Sequence, residues 1–171
     1  KSAFHFGTNP AGALVDGLVF ANGETNNEWD AIWVVRTRRT NQGWSAEFEK
    51  TQPEQSIFTA ATFGPDGKLW RILPSQQFVS VDYSTDYGKN FGTPVRINSA
   101  DHSIRMWDEN PPAIAIDQQG RVYVLYFADD KQSSTSFFSY SNDGLQFSTP
   151  ARISSAADYW YHYQTEMLLD N

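Results

Sequence analysis

The chain has 171 residues, with 13 Lys and Arg against 20 Asp and Glu, and no cysteine. A net charge of −7 with no Lys/Arg run offers little to nucleic acid or an anionic membrane, which are held first through neutralised phosphates; 40% hydrophobic against 19% charged residues is the composition of a folded chain. The missing cysteines exclude disulfides, thiolate metal sites and a thiol nucleophile but leave the compartment open, and no apolar run approaches the ~20 residues that span a bilayer.

Aromatic residues make up 15% of the chain, and Gly, Pro, Asn, Asp and Ser punctuate it at short intervals. No stretch keeps a helical apolar period for four turns. Alternation is common instead, as in Phe78-Val-Ser-Val-Asp-Tyr83, Ile114-Ala-Ile116 and Arg121-Val-Tyr-Val-Leu-Tyr126. These patterns predict a nearly all-β protein. The start at Lys1-Ser2-Ala3, with neither an initiator Met nor an apolar leader, suits a processed or excerpted chain.

Residues 1–50 carry Phe6-Gly-Thr-Asn-Pro-Ala-Gly12, Asp16-Gly17, Asn27-Glu-Trp29-Asp30-Ala-Ile-Trp33 and Gly43-Trp44-Ser-Ala-Glu47-Phe48. This set resembles the middle of the family 9-like carbohydrate-binding domain, a β-sandwich often attached to exported bacterial proteins. The resemblance implies a sugar-binding module. Trp29, Trp33 and Trp44 are candidates for a sugar platform, although alternating neighbours assign at least two of them to a core. The Ile-Pro-Phe stretch usual in that family is replaced by Lys50-Thr-Gln-Pro-Glu-Gln55, so residues 51–56 read as a junction or the site of an omitted stretch.

From residue 57 onward the chain repeats itself. Phe91-Gly-Thr-Pro-Val-Arg-Ile-Asn-Ser99 and Phe147-Ser-Thr-Pro-Ala-Arg-Ile-Ser-Ser155 share six of nine residues at an offset of 56. Upstream, Ser84-Thr-Asp86-Tyr-Gly88-Lys-Asn-Phe91 aligns with Ser141-Asn-Asp143-Gly144-Leu-Gln-Phe147, and Pro65-Asp66-Gly67-Lys-Leu-Trp70 with Gln118-Gln119-Gly120-Arg-Val-Tyr123. Each copy, 57–100 and 101–156, therefore predicts a strand, an Asp/Gly turn, two further strands, a Ser-x-Asp turn and a final Pro-x-Arg-Ile strand. A third copy opens within 157–171, where Glu166-Met-Leu-Leu-Asp170-Asn171 matches Ala113-Ile-Ala-Ile-Asp117-Gln118 at an offset of 53. Four short strands in about 50 residues is the period of a propeller blade, which buries its flat faces only against neighbouring blades. Two blades and a stub call for a longer protein, for completion by another chain of an oligomer, or for recruitment into a different sandwich.

The turn Ser84-x-Asp86-x-Gly88-x-x-Phe91 resembles the Asp-box of bacterial neuraminidase repeats, and Ser141-x-Asp143-Gly144 with Phe147 resembles a shortened copy. The resemblance implies two blades of a sialidase-like β-propeller, preceded by the β-sandwich-like segment. In that family the box is structural. Ser84, Asp86, Gly88, Phe91, Ser141, Asp143, Gly144 and Phe147 are accordingly expected to shape turns: the Asp accepts backbone N–H groups, the Gly supplies positive φ, and the aromatic ring anchors the hairpin.

Propeller ligands usually occupy the end opposite such turns, lined by the segments that lead into the next blade. Here those segments are Asp101-His102-Ser-Ile-Arg105-Met-Trp107-Asp108-Glu109-Asn110 and Asp158-Tyr159-Trp160-Tyr161-His162-Tyr163-Gln164-Thr-Glu166. Aromatic faces stack on sugar C–H faces, carboxylates fork to vicinal hydroxyls, and arginine can grip a sugar carboxylate in bidentate fashion. Candidate sugar-binding residues are thus Arg105, Trp107, Asp108, Glu109, Tyr159, Trp160 and His162, with inter-blade packing as the alternative role for the aromatics. Sialidase-like hydrolysis, as the resemblance implies it, needs an arginine triad, an acid/base Asp and a Tyr nucleophile activated by a Glu. The usual Arg-Ile-Pro segment is missing, and Arg71-Ile-Leu-Pro74 reads as strand packing. No catalytic residue is assigned on this basis, although Glu109 and Tyr161 carry suitable chemistry.

The three histidines, His5, His102 and His162, lack metal-ligand spacing, and Asp129-Asp130 reads as a solvated turn, so neither a metal nor a cofactor is expected. The expected function is an exported glycan-binding or glycan-processing protein, at the cell surface, in a periplasm or outside the cell, with an acidic or sialylated glycan as partner. The alternatives are a non-catalytic β scaffold in a larger assembly and an engineered chimera, the latter motivated by the change near Lys50 and the end inside a turn.

Overall fold

The computed structural model describes residues 2–5, 16–25, 28–50, 60–75, 77–86, 88–105, 112–129, 134–153 and 167, the strands of the first three runs as backbone. Among the described residues there are thirteen strands, all paired antiparallel, and no helix. The all-β expectation holds there. The strands form three open sheets, none of which closes on itself.

The N-terminal sheet is a meander of β1 (Ser2–His5), β2 (Asp16–Thr25), β3 (Glu28–Thr40) and β4 (Gly43–Lys50) in that order. Runs such as Ala31-Ile-Trp-Val-Val35 suit extended backbone, since β-branched and aromatic side chains fit a pleated surface. A register shift between Gly23 and Thr25 breaks the β2–β3 ladder. Trp29 and Trp33 fall on β3, and Trp44 on β4.

The second sheet comprises β5 (Ala60–Phe63), β6 (Leu69–Pro74), β7 (Val79–Ser84) and β8 (Val95–Arg96), again in chain order. The third repeats this plan. After β9 (Ser103–Ile104) come β10 (Ala113–Ile116), β11 (Val122–Asp129), β12 (Ser134–Ser141) and β13 (Ala151–Arg152). Strand β9 pairs with Ala128 and Asp129, continuing the edge of β11 where β10 leaves off.

Matching turns give the two sheets matching registers. The β5–β6 turn closes with Gly64 N–H donating to the Lys68 carbonyl at 2.9 Å, and the β10–β11 turn with Asp117 N–H donating to the Arg121 carbonyl at 3.1 Å. Gly67 and Gly120 both have φ near +79°, a backbone state that costs other L-residues about 1–2 kcal/mol. In consequence Ile72 lies opposite Ala60 and Val81, just as Leu125 lies opposite Ala113 and Phe138.

The second and third sheets stack over one apolar core, with β10 against β5 and β6. Because strand side chains alternate, Trp70, Ile72, Val79 and Val81 leave one sheet and meet Val122, Val124, Tyr126 and Phe137 from the other. Each such side chain contributes about 1.5–3 kcal/mol on full burial. On the reverse face of the second sheet, Ala61 and Leu69 pack with Phe63 and Phe91.

That reverse face also holds an ion pair between directly opposed residues of β6 and β7. Arg71 Nε donates to Asp82 Oδ1 at 2.7 Å and its Nη2 donates to Oδ2 at 2.9 Å, with the guanidinium 3.6 Å from the centroid of Phe91. Both residues are buried. The placement of Arg71 within a strand agrees with the sequence reading, whereas its charge partner Asp82 was not anticipated.

Candidate functional site

The strand directions sort the chain's chemistry to two ends of the stacked sheets. One end carries the Gly67 and Gly120 turns and both Ser-x-Asp turns; the other carries the β6–β7 and β11–β12 connections and residues 99–105.

At the first end the Ser-x-Asp turns are closed by their own side chains. Ser84 hydroxyl donates to Asp86 at 2.7 Å and accepts the N–H of Gly88 at 2.8 Å, while Asp86 accepts the backbone N–H of Asn90 at 2.9 Å and its side-chain amide at 2.7 Å. In the second copy Ser141 hydroxyl donates to Asp143 at 3.0 Å and accepts the N–H of Gly144 at 2.8 Å, and Asp143 accepts from the N–H groups of Leu145 and Gln146. The Asn90 N–H, then the Ser84 hydroxyl and the Asn90 amide, hold the Asp86 carboxyl well below the usual carboxylate range. The N–H groups of Gln146 and Leu145 lower Asp143 in the same way. Phe91 packs on Ala61 and Leu69, and Phe147 on the shared core. These eight residues do turn chemistry.

Asp117 stabilises the neighbouring turn. Desolvation works against its charge, but the Arg121 N–H, the Tyr123 hydroxyl, the Arg121 side chain and the Gln119 N–H outweigh that and bring its carboxyl to about 2. Its hydrogen bond from the Tyr123 hydroxyl is 2.9 Å long.

The opposite end is where Arg105 sits. Its backbone N–H donates to the Phe127 carbonyl at 3.0 Å, extending the β9–β11 pairing and placing its side chain beside the end of β11. There Arg105 Nε donates to Asp129, which also accepts from the Ser134 hydroxyl. The Arg105 side chain is 46% exposed, with its Nε directed at Asp129.

Behind Arg105 lies a buried layer. His102 Nδ1 is 2.9 Å from the Tyr126 hydroxyl, and its ring rests 3.9 Å from the centroid of Phe137. Burial pushes the Tyr126 hydroxyl well above the ordinary phenol value, keeping it protonated. Asn98 anchors the start of the same segment: its Oδ1 accepts the Val79 N–H at 2.8 Å, and its Nδ2 donates to the carbonyls of Gln77 and Ser99. Sequence reasoning assigned no partner to His102 or Asn98. The recurring Arg-Ile-Asn/Ser string marked Asn98 as a strand end, but its contact across to β7 depends on the folded hairpin.

Of the residues proposed from sequence to hold a sugar, Arg105 is located directly after β9, hydrogen-bonded to β11. Trp107, Asp108, Glu109, Tyr159, Trp160 and His162 lie outside the described residues, as do Tyr161 and Asp130. Among the described residues no helix is long and apolar enough to cross a membrane. A scan against protein-family models and a search of curated proteins find no match to this chain.

Proposed function

We propose that this chain is part of an exported β-propeller protein that binds or processes glycans in the manner of the sialidase-like proteins its Ser-x-Asp turns resemble. The observation that carries the reading is Arg105, half exposed and braced by Asp129 at the end opposite those turns. A guanidinium whose Nε is directed at a carboxylate is oriented before a ligand arrives, and its planar, permanently charged group is of the kind that suits a sugar carboxylate. In the sequence, the aromatic segments around residues 107 and 160 each follow the Pro-x-Arg-Ile string of one repeat. They would supply the stacking faces that neutral parts of a sugar need.

Sugar binding is tested by titrating the chain with sialylated, uronic-acid-containing and neutral oligosaccharides. Trp107→Ala and Trp160→Ala should abolish binding while the circular-dichroism spectrum is retained, and Arg105→Ala should weaken acidic sugars at least tenfold more than neutral ones, a difference of about 1.4 kcal/mol. If all three variants bind as the parent does, the site is misassigned.

A second reading, a non-catalytic scaffold, is favoured by two features. The repeated Ser and Asp residues are engaged in turn hydrogen bonds, and the outer face of the third sheet remains partly exposed. It predicts no turnover of fluorogenic sialosides, and measurable hydrolysis would exclude it.

A further inference from the structure

The two stacked sheets meet through unlike faces. The second sheet contributes Ala60, Trp70, Ile72, Val81 and Tyr83, and the third contributes Val122, Val124, Tyr126 and Phe137. Such a contact is head to tail: it leaves the third sheet with its own copy of the face that the second sheet has already buried.

That copy matches residue by residue. Ala113, Tyr123 and Leu125 stand where Ala60, Trp70 and Ile72 stand, at an offset of 53, and Phe138 and Tyr140 stand where Val81 and Tyr83 stand, at an offset of 57. Cross-strand partners agree as well, since Trp70 faces Tyr83 and Tyr123 faces Tyr140. The environments differ. Trp70, Ile72 and Val81 are at most 3% exposed, whereas Tyr123, Leu125 and Phe138 are half-buried and Tyr140 is 43% exposed.

We infer that the face formed by Ala113, Tyr123, Leu125, Phe138 and Tyr140 is the seat of a third sheet of the same kind, opened by Glu166-Met-Leu-Leu-Asp170 of this chain. Two observations select this occupant. That segment repeats Ala113-Ile-Ala-Ile-Asp117, so Met167 and Leu169 stand where Ile114 and Ile116 stand, and those two isoleucines pack on the Trp70 and Ile72 core. A second copy of the chain has no matching face to offer from these sheets. In the second sheet the corresponding residues Arg71, Ser80, Asp82 and Ser84 are already buried, and in the third Val122, Val124 and Phe137 are covered by the second.

The chain's lack of cysteine makes the test direct. Ala60→Cys with Ile114→Cys probes the interface already present, and Ala113→Cys with Met167→Cys probes the equivalent one. Both pairs, treated with a short bifunctional thiol reagent, should give an intramolecular cross-link in native buffer and lose it in concentrated urea. A link from the first pair alone, or a link from the second pair that joins two chains, overturns the inference. Hydrogen exchange of the unmodified chain is the independent measurement: amides of residues 166–170 should exchange at least about tenfold more slowly than in the unfolded chain, and unprotected exchange there overturns it equally. Neither readout depends on sugar binding.

Discussion

The indole of Trp70, on β6, lies directly beneath the backbone of Gly144 in the Ser-x-Asp turn that follows β12. A Cβ placed on Gly144 would come within 2.6 Å of the ring atom Cζ3, and Gly144 also has φ near +73°. One glycine thus answers two demands, a left-handed turn and close approach of a neighbouring sheet. Gly144→Ala should lose about 2–4 kcal/mol in urea unfolding. Gly120→Ala shares the positive φ but meets nothing within 4 Å, and should lose only about 1–2 kcal/mol. Equal losses would mean that Trp70 does not hold that turn.

Acid should loosen the turns in a defined window. Asp86, Asp117 and Asp143 all have folded values below the ordinary 3.8, so their stabilisation is complete above that value and disappears as pH falls through the folded ones. For Asp117 that limb runs from 3.8 down to about 2. Urea midpoints followed from about pH 6 to about pH 2 should fall at the acid end. Asp117→Asn should be less stable than the parent at neutral pH and show a shallower acid limb.

Arg71 and Asp82 should prove strongly coupled. Either Arg71→Met or Asp82→Leu removes one side of a buried bidentate ion pair and should cost about 3–5 kcal/mol. The double variant Arg71→Met/Asp82→Leu, which removes both charges, should be more stable than either single one. Additive losses in a double-mutant cycle would show that the pair acts independently.

His102 ties the interior of the candidate binding end to the hydroxyl of Tyr126. Replacing Tyr126 by Phe removes that hydroxyl without opening a cavity, and should lower stability by about 1–2 kcal/mol. Chemical denaturation with near-ultraviolet circular dichroism would detect it, because Tyr126 and Phe137 stack at 5.7 Å within the same cluster.

Several features of this molecule are local, and these were legible in the residues themselves. Alternation in Val79-Ser-Val-Asp-Tyr83 and Val122-Tyr-Val-Leu-Tyr126 predicts strands, and β7 and β11 lie there. Ser84-x-Asp86 and Ser141-x-Asp143 read as turns because each hydroxyl and carboxylate bonds to the other and to N–H groups within four residues, a reach that sequence spacing sets. Arg105 was legible as a residue with suitable chemistry, but its bracing by Asp129 was not, since the two are 24 residues apart and meet only when β9 pairs with β11.

By itself, then, the sequence determined the β class, the repeated four-strand unit and the chemistry of its turns, all of which depend on backbone preference and contacts within a few residues. Tertiary structure decided that Arg71 faces Asp82, that His102 reaches Tyr126, and that Trp70 tucks under Gly144. The physical reason is that pairing register and sheet stacking choose among many partners of similar chemistry. That choice is made by close packing of whole faces, which no short stretch of residues encodes.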